Sequence, residues 1–233
     1  HALFGRPTVP MAMILEWASA LSGRTVEDLT LYDGVVVEKP TVVRLRIDGD
    51  RFTVHSGAKL AWRAVLTDEA LPAMLVPSFG TAALPMELDA FYRATFHGPT
   101  LRGIVQVVSL SDRGVSGVVR RGLGQDWGEA PWALSPLAID SALQLAAYWS
   151  INKLGRAGFP VRVARWTQVQ TTAPELVATL WFEEQVGDRF RGTVVLAEPH
   201  GRVVAVGEGV EAEMRSEGVQ VPAEHTDFNL FPE

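Results

Sequence analysis

Asp140 is the residue that most demands an explanation. It sits in LAIDSALQLAAYW, a carboxylate with apolar neighbours on both sides. Burying an unpaired carboxylate is costly, so this one needs a partner or a raised pKa. Gln144 lies four residues on, over the same face of a helix, where its amide can donate to the carboxylate and hold one rotamer. The start of the helix pulls the other way and favours the anion. Two readings stay open: a helix-entry carboxylate bonded to backbone N–H groups, or an acid positioned in a mostly apolar pocket. An acid of the second kind needs a base across the pocket.

The candidate bases are few. There are no cysteines, which removes disulfides, thiolate nucleophiles and thiolate metal sites together. The histidines are His1, His55, His97, His200 and His225. His1 opens HALFGRPTVPMAMILEW and precedes the first apolar helical segment, much as Asp140 opens the second. Two such segments facing each other would aim both groups at one cavity. By position alone, a leading histidine reads equally well as the remnant of a purification tag. Gly5 lacks a Cβ, so substrate can approach its backbone, and its N–H can hold a carbonyl oxygen on which charge develops. His97, in FHGP, competes for the base role; a loop residue or pocket wall is the plainer reading. His55 and His200 fall in turns, and His225 lies in the tail.

Other chemistries fail their tests. HExxH, CxxC, a P-loop lysine and GxSxG are all absent. GLGQDWG is glycine-rich but lies between strands and opens no helix, so a dinucleotide reading lacks its context. Without a dense cluster of His and carboxylates, no metal site is expected. Lys and Arg are scattered and the net charge is −6, which speaks against nucleic acid and an anionic membrane surface. No apolar run reaches the roughly 18 residues of a spanning helix. A cytoplasmic setting is compatible with all of this, and the chain reads as a fragment of something longer.

The elements that must position these groups follow from periodicity. The chain has 233 residues, 47% of them hydrophobic, enough for one large domain or two small ones sharing a core. Period-2 alternation predicts strands over Thr30–Glu38, Val42–Ile47, Arg51–His55 and Leu60–Leu66. A second set runs over Gly103–Ser109, Val115–Arg120, Arg162–Thr171, Leu176–Glu183, Phe190–Leu196 and Arg202–Met214. Two segments break the pattern. VPMAMILEWASALSG starts a helix at Pro10 and closes at Gly23; SPLAIDSALQLAAYWSINKLG starts at Pro136, with Ser135 as N-cap, and closes at Gly155. Both are apolar on nearly every side and so should be buried. A short helix is expected over Glu87–Tyr92. Helix then sheet, twice, at half the chain length predicts an α+β double hot-dog: two antiparallel sheets, each wrapped around a buried central helix. Generic α+β is the plainer alternative. The expected division is an N-terminal hot-dog over 1–85, a linker with a short helix over 86–100, a C-terminal hot-dog over 101–215, and a tail over 216–233.

Three motifs carry a family resemblance. HALFGRPTVP fits HxxxGxxxxP, with His1, Gly5 and Pro10 in register; DSALQ fits DxxxQ, with Asp140 and Gln144; and FHGPTLRGI resembles a YGPxF segment. Their order and spacing resemble the dehydratase domains of modular polyketide synthases and fatty-acid synthases. The FHGP variant and the LEW at the end of the first helix resemble dehydratases of polyunsaturated-fatty-acid or enediyne-type iterative synthases. The resemblance implies loss of water across C2 and C3 of a 3-hydroxyacyl thioester, carried on the phosphopantetheine arm of an acyl carrier protein, to give a 2-enoyl thioester. It implies His1 as base, Asp140 as acid, Gly5 and Pro10 at the carbonyl oxygen, and Gln144 as orienter. Phe96, His97, Gly98, Pro99 and Leu101 would form pocket wall, and Trp, Leu and Met residues an acyl tunnel. No metal or redox cofactor is implied. The partners implied are the carrier protein and neighbouring synthase domains, with no nucleic acid and no membrane; monomer and homodimer both stay open. Departures are His97 for the family's Tyr, Leu101 for its Phe, and a missing strand ahead of His1. A same-fold isomerase, a cyclase or product-template domain, a thioesterase and a catalytically silent module compete. Product-template relatives carry His where Gln144 stands, and a silent module would have lost its His or Asp.

Overall fold

The computed structural model describes residues 2–3, 6–37, 41–80, 86–95, 97–122 and 132–215, without the side chains of 2, 3, 6 and 215. A two-residue ladder, β1 (Ala2–Leu3) with β2 (Arg6–Pro7), leads into α1 (Met11–Ser22). Strands β3 (Thr25–Leu31), β4 (Val43–Asp48), β5 (Arg51–Ser56) and β6 (Lys59–Thr67) follow. The short α2 (Leu88–Ala94) and a 3-10 turn at Pro99–Leu101 come before the hairpin β7 (Ile104–Ser111) and β8 (Gly114–Arg120). The long helix α3 (Pro136–Leu154) is then followed by β9 (Ala157–Gln168), β10 (Glu175–Val186), β11 (Arg189–Ala197) and β12 (Val203–Arg215).

Ten strands form one antiparallel sheet in the order β4-β5-β6-β3-β9-β12-β11-β10-β8-β7. The two strands at its seam, β3 and β9, each follow directly on one of the two long helices and pair antiparallel, Val26 opposite Trp166 and Leu29 opposite Val163. From that seam β6, β5 and β4 run one way and β12, β11 and β10 the other, which is the two-fold repeat of a double hot-dog. On the outer face Arg162 bonds Asp28 of β3 and Glu211 of β12, and Arg165 bonds Glu27 and Glu208. These half-exposed pairs stabilise the seam only modestly, by about 0–1 kcal/mol each. The core beneath does more: Ile14, Leu15, Val26, Leu29 and Trp166 are fully buried, and each large apolar side chain contributes roughly 1.5–3 kcal/mol.

The two helices differ. Every residue of α3 from Pro136 to Ile151 is buried, as its all-round apolar sequence requires. α1 is buried on one face only, with Leu21 59% exposed, because its other side meets solvent. Gly23 and Gly155 close the helices in the left-handed region, at φ 66° and 69°. Pro136 occupies the first turn of α3, whereas Pro10 stands one place before α1 with extended backbone (φ −73°, ψ 153°).

Three elements correct the sequence reading. The strand expected over Thr30–Glu38 runs instead over Thr25–Leu31; beyond it Val36 makes only an isolated bridge to Thr8, and Glu38 lies outside the described residues. A bulge between Glu27 and Thr30, with Asp28 at φ 51°, shifts the side-chain phase and hides the alternation. The strand expected from Arg162 begins at Ala157, straight after the helix cap, and the short helix lies at Leu88–Ala94. The tail over 216–233, and GLGQDWG beyond its first glycine, Gly122, lie outside the described residues.

Candidate active site

α3 delivers four side chains to one cavity. Asp140, Leu143, Gln144 and Ala147 fall at the spacing of a single helical stripe and line a space of about 110 Å³. Thr8, Val9, Pro10 and Met11 at the entry to α1 form another wall, with Leu31 and Trp62 from the first half of the sheet and Gly34 from the loop after β3. His97 and the start of β9 (Gly158, Phe159, Pro160) complete it. The cavity therefore lies between the two halves, where the start of α1 meets the start of α3. A larger groove of about 760 Å³ lies on the outer face, lined by Asp28, Asp48, Asp50, Arg51, Arg63 and Arg162, and does not include Asp140. Its aspartates already pair with Arg162, Arg46 and Arg24.

The start of α3 is firmly held. Ser135 caps it, accepting from the Ala138 N–H at 3.5 Å and donating to the Arg121 carbonyl. Its φ of 104° is a conformation rare outside glycine, sustained by these bonds. Arg121, itself buried, donates through Nε to the Leu134 carbonyl at 2.7 Å. Glu16 reaches across from α1: it accepts from the Ala133 N–H at 2.5 Å, the Leu134 N–H at 3.3 Å and the Gln168 amide at 2.8 Å. Sequence reasoning passed over Glu16, although an acid inside an apolar helix is the same signal that singled out Asp140.

Asp140 is 5% exposed. Gln144 Nε2 donates to its Oδ2 at 2.6 Å and to the Leu101 carbonyl at 2.7 Å, so the amide nitrogen is saturated and the side chain is locked. Gly103 makes this reach possible: a Cβ there would overlap Ser141 and Leu137 of α3, so the loop carrying Leu101 packs directly on the helix. Burial pushes the Asp140 carboxyl up to about 6, against the opposing pull of the Gln144 bond. Among the described residues no backbone N–H bonds Asp140; the helix-entry carboxylate of this fold is Glu16.

His97 is also buried, and burial pushes its imidazole down to about 3. It is therefore neutral at ordinary pH and too weak a base for efficient proton abstraction near neutrality. Its Nδ1 meets Thr95 Oγ1 at 3.1 Å and its ring stacks on Phe91 at 6.4 Å. Pro10, His97, Asp140 and Gln144 thus share the cavity. Leu101 touches it through Gln144, and Gly98 and Pro99 sit at the 3-10 turn away from the lining. His1, Gly5 and Phe96 lie outside the described residues. Among the described residues no group of three or more His, Asp or Glu could hold a metal, and no helix is long and apolar enough to cross a membrane.

One relative is a polyunsaturated fatty acid synthase chain of Thraustochytrium sp.; it is 27% identical and aligns with 72% of this chain, which spans only 7% of that protein's length. Among solved structures, GphF dehydratase 1 is 21% identical with a TM-score of 0.79, covering 93% of this chain and 88% of that one. The dehydratase domain of PpsC from Mycobacterium tuberculosis, in complex with C12:1-CoA, is 22% identical with a TM-score of 0.71, covering 91% and 86%. These likenesses establish the double hot-dog fold. Residues 73–221 match the family described as the polyketide synthase dehydratase N-terminal domain. The chain belongs to the polyketide synthase dehydratase family.

Proposed function

We propose that this dehydratase domain removes water from a 3-hydroxyacyl thioester, carried on the phosphopantetheine arm of an acyl carrier protein, and releases a 2-enoyl thioester. The observation that carries the reading is Asp140: a carboxyl in an apolar cavity, oriented by Gln144 and raised to about 6. An acid kept protonated into the neutral range can give its proton to a departing hydroxyl. The bound C12:1-CoA of the PpsC domain is an acyl thioester, consistent with a substrate of that class here.

In this reading neutral His1 takes the C2 proton. The electron pair of that bond forms the C2–C3 double bond, and the C3–O bond breaks. Asp140 supplies the proton that makes the leaving group water, and His1 returns its proton through solvent. The Gly5 N–H and the start of α1 behind Pro10 hold the thioester oxygen as it gains charge. The apolar walls, Val9, Met11, Leu143 and Ala147, keep bulk water away. The chemistry asks for no cofactor beyond the carrier's arm, because the thioester already acidifies C2. The domain would work in the cytoplasm within a longer synthase, beside its carrier protein and neighbouring domains. Residues 1–85 and 101–215 would form the two hot-dogs, joined by 86–100.

Mass spectrometry tests this. Both enantiomers of a 3-hydroxyacyl carrier-protein thioester are offered to wild type, His1→Ala and Asp140→Asn. The expected result is loss of one water from one enantiomer by wild type alone. Wild-type turnover by either variant removes its residue from the mechanism. A product with a moved double bond and no water lost makes the domain an isomerase.

A further inference from the structure

Leu101 offers its carbonyl to Gln144 from a segment that is itself tied down by arginines at the surface. The segment runs from His97 through the 3-10 turn at Pro99–Leu101 into β7. Arg102 turns its side chain back along it, and Nε donates to the His97 carbonyl at 3.3 Å. The guanidinium carbon lies 5.3 Å from the centre of the Tyr92 ring on α2. The Tyr92 hydroxyl in turn accepts from the Ile104 N–H at 3.1 Å. Arg120, at the end of β8, ties the same segment twice. Its Nη2 donates to the Arg102 carbonyl at 3.0 Å and its N–H to the Gly103 carbonyl at 2.9 Å. Both arginines are exposed, yet each gives a side-chain donor to a backbone carbonyl of this one segment.

What the segment fixes is the direction of an amide. Gln144 Nε2 meets two acceptors, the Leu101 carbonyl and Asp140 Oδ2, so the nitrogen end must face both. A protonated carboxyl alone can take either end of an amide: it accepts from the nitrogen or donates to the oxygen. The Leu101 carbonyl removes that choice. Oδ2 is then an acceptor, and the proton of Asp140 belongs on Oδ1. We propose that Arg102 is a positioning residue for Asp140: by bracing the His97–Leu101 turn against Tyr92, it keeps the Leu101 carbonyl on Gln144 and the transferable proton on Oδ1. The inference rests on the dehydratase reading for its chemistry, while its geometry belongs to the free protein. Positive charge alone does not do this. The planar guanidinium lies over the ring and aims Nε at the carbonyl in one fixed geometry, which a flexible ammonium does not reproduce.

The test is Arg102→Lys, which keeps the charge and loses the fork, made in wild type and in Gln144→Leu. The substrate is the 3-hydroxybutyryl thioester of N-acetylcysteamine. In the wild-type background kcat should fall about threefold with KM unchanged, the low end for one lost hydrogen bond. The alkaline limb of the pH–kcat profile should move to higher pH, because the Gln144 donor leaves the carboxylate part of the time. Of the other described residues lining the cavity only His97 titrates, and burial keeps it neutral over this range, so it does not set that limb. In Gln144→Leu the same substitution should change neither readout, since the amide through which it acts is gone. An unchanged kcat and limb in Arg102→Lys overturns the proposal. So does an equal fall in both backgrounds, which makes Arg102 a brace for the turn alone. If wild type does not dehydrate the thioester, the dehydratase reading fails separately. The positioning is then read on the protein itself, by carbon-13 NMR titration of the Asp140 carboxyl. A higher pKa in Arg102→Lys than in wild type supports it, and equal values overturn it.

Discussion

Glu16 and Asp140 are both carboxylates buried in the apolar helices that open the two halves, and they are treated in opposite ways. Glu16 is saturated: two backbone N–H groups and the Gln168 amide surround it. Among the described residues Asp140 has one partner, Gln144, bonded to one of its oxygens, and otherwise faces a mostly apolar cavity. The difference separates a structural charge from a working one. A fully bonded carboxylate fixes the chain around it. A half-bonded one in a dry cavity is held near the balance between its two forms, the condition for giving up a proton. Glu16 also serves Asp140, because it anchors the segment from which α3 starts.

The largest effect expected from breaking this comparison is at Asp140. Asp140→Asn keeps the shape and the Gln144 bond but has no proton to give, so kcat should fall about a thousandfold. Stability should move the other way. Because the carboxyl is raised from 3.8 to about 6, the folded state favours the protonated form, and Asp140 costs stability as pH rises through that window. Asp140→Asn should therefore be more stable than wild type at pH 7.5, by roughly 2–3 kcal/mol, with the gap closing below pH 4. Urea titrations at the two pH values check this; a variant less stable than wild type at pH 7.5 would mean that Asp140 has a structural role like that of Glu16.

Glu16 should show the reverse. Glu16→Ala leaves the Ala133 and Leu134 N–H groups and the Gln168 amide without their acceptor. A loss of about 3 kcal/mol is expected in the same titrations at the higher pH. A loss under about 1 kcal/mol, the scale of a single ordinary hydrogen bond, would show that water replaces the carboxylate and that the anchor is dispensable.

Much of this arrangement was legible in the sequence, and what was not has physical reasons. Helix ends were readable because Gly23, Ser135, Pro136 and Gly155 are local signals that act within one turn. The strand after α1 was misplaced because a bulge at Asp28 broke the two-residue period that identifies strands. Asp140 and Gln144 were legible as a pair because their spacing alone puts them on one helix face. The partners of Glu16 were not, since Ala133, Leu134 and Gln168 lie more than a hundred residues away and only the folded chain brings them together. Trp62 escaped notice for the same reason: seven tryptophans are present, and which one lines the cavity depends on the register of β6 against β3.

The smallest and sharpest effect is at Gln144. Among the described residues its amide donates the hydrogen bond that draws Asp140 toward the ionised form, against burial. Gln144→Leu fills similar space and removes that donor, so the carboxyl should rise above its present value of about 6. Dehydration requires the protonated acid, so the alkaline limb of the pH–kcat profile should move to higher pH. The rotamer is lost with the bond, and the plateau rate should drop by about tenfold. The two readouts divide the roles of one side chain. A limb that stays in place while the plateau falls would make Gln144 an orienter only. A limb that moves while the plateau holds would show that packing between Leu101 and α3 suffices to aim Asp140, and that the amide is there to tune its proton.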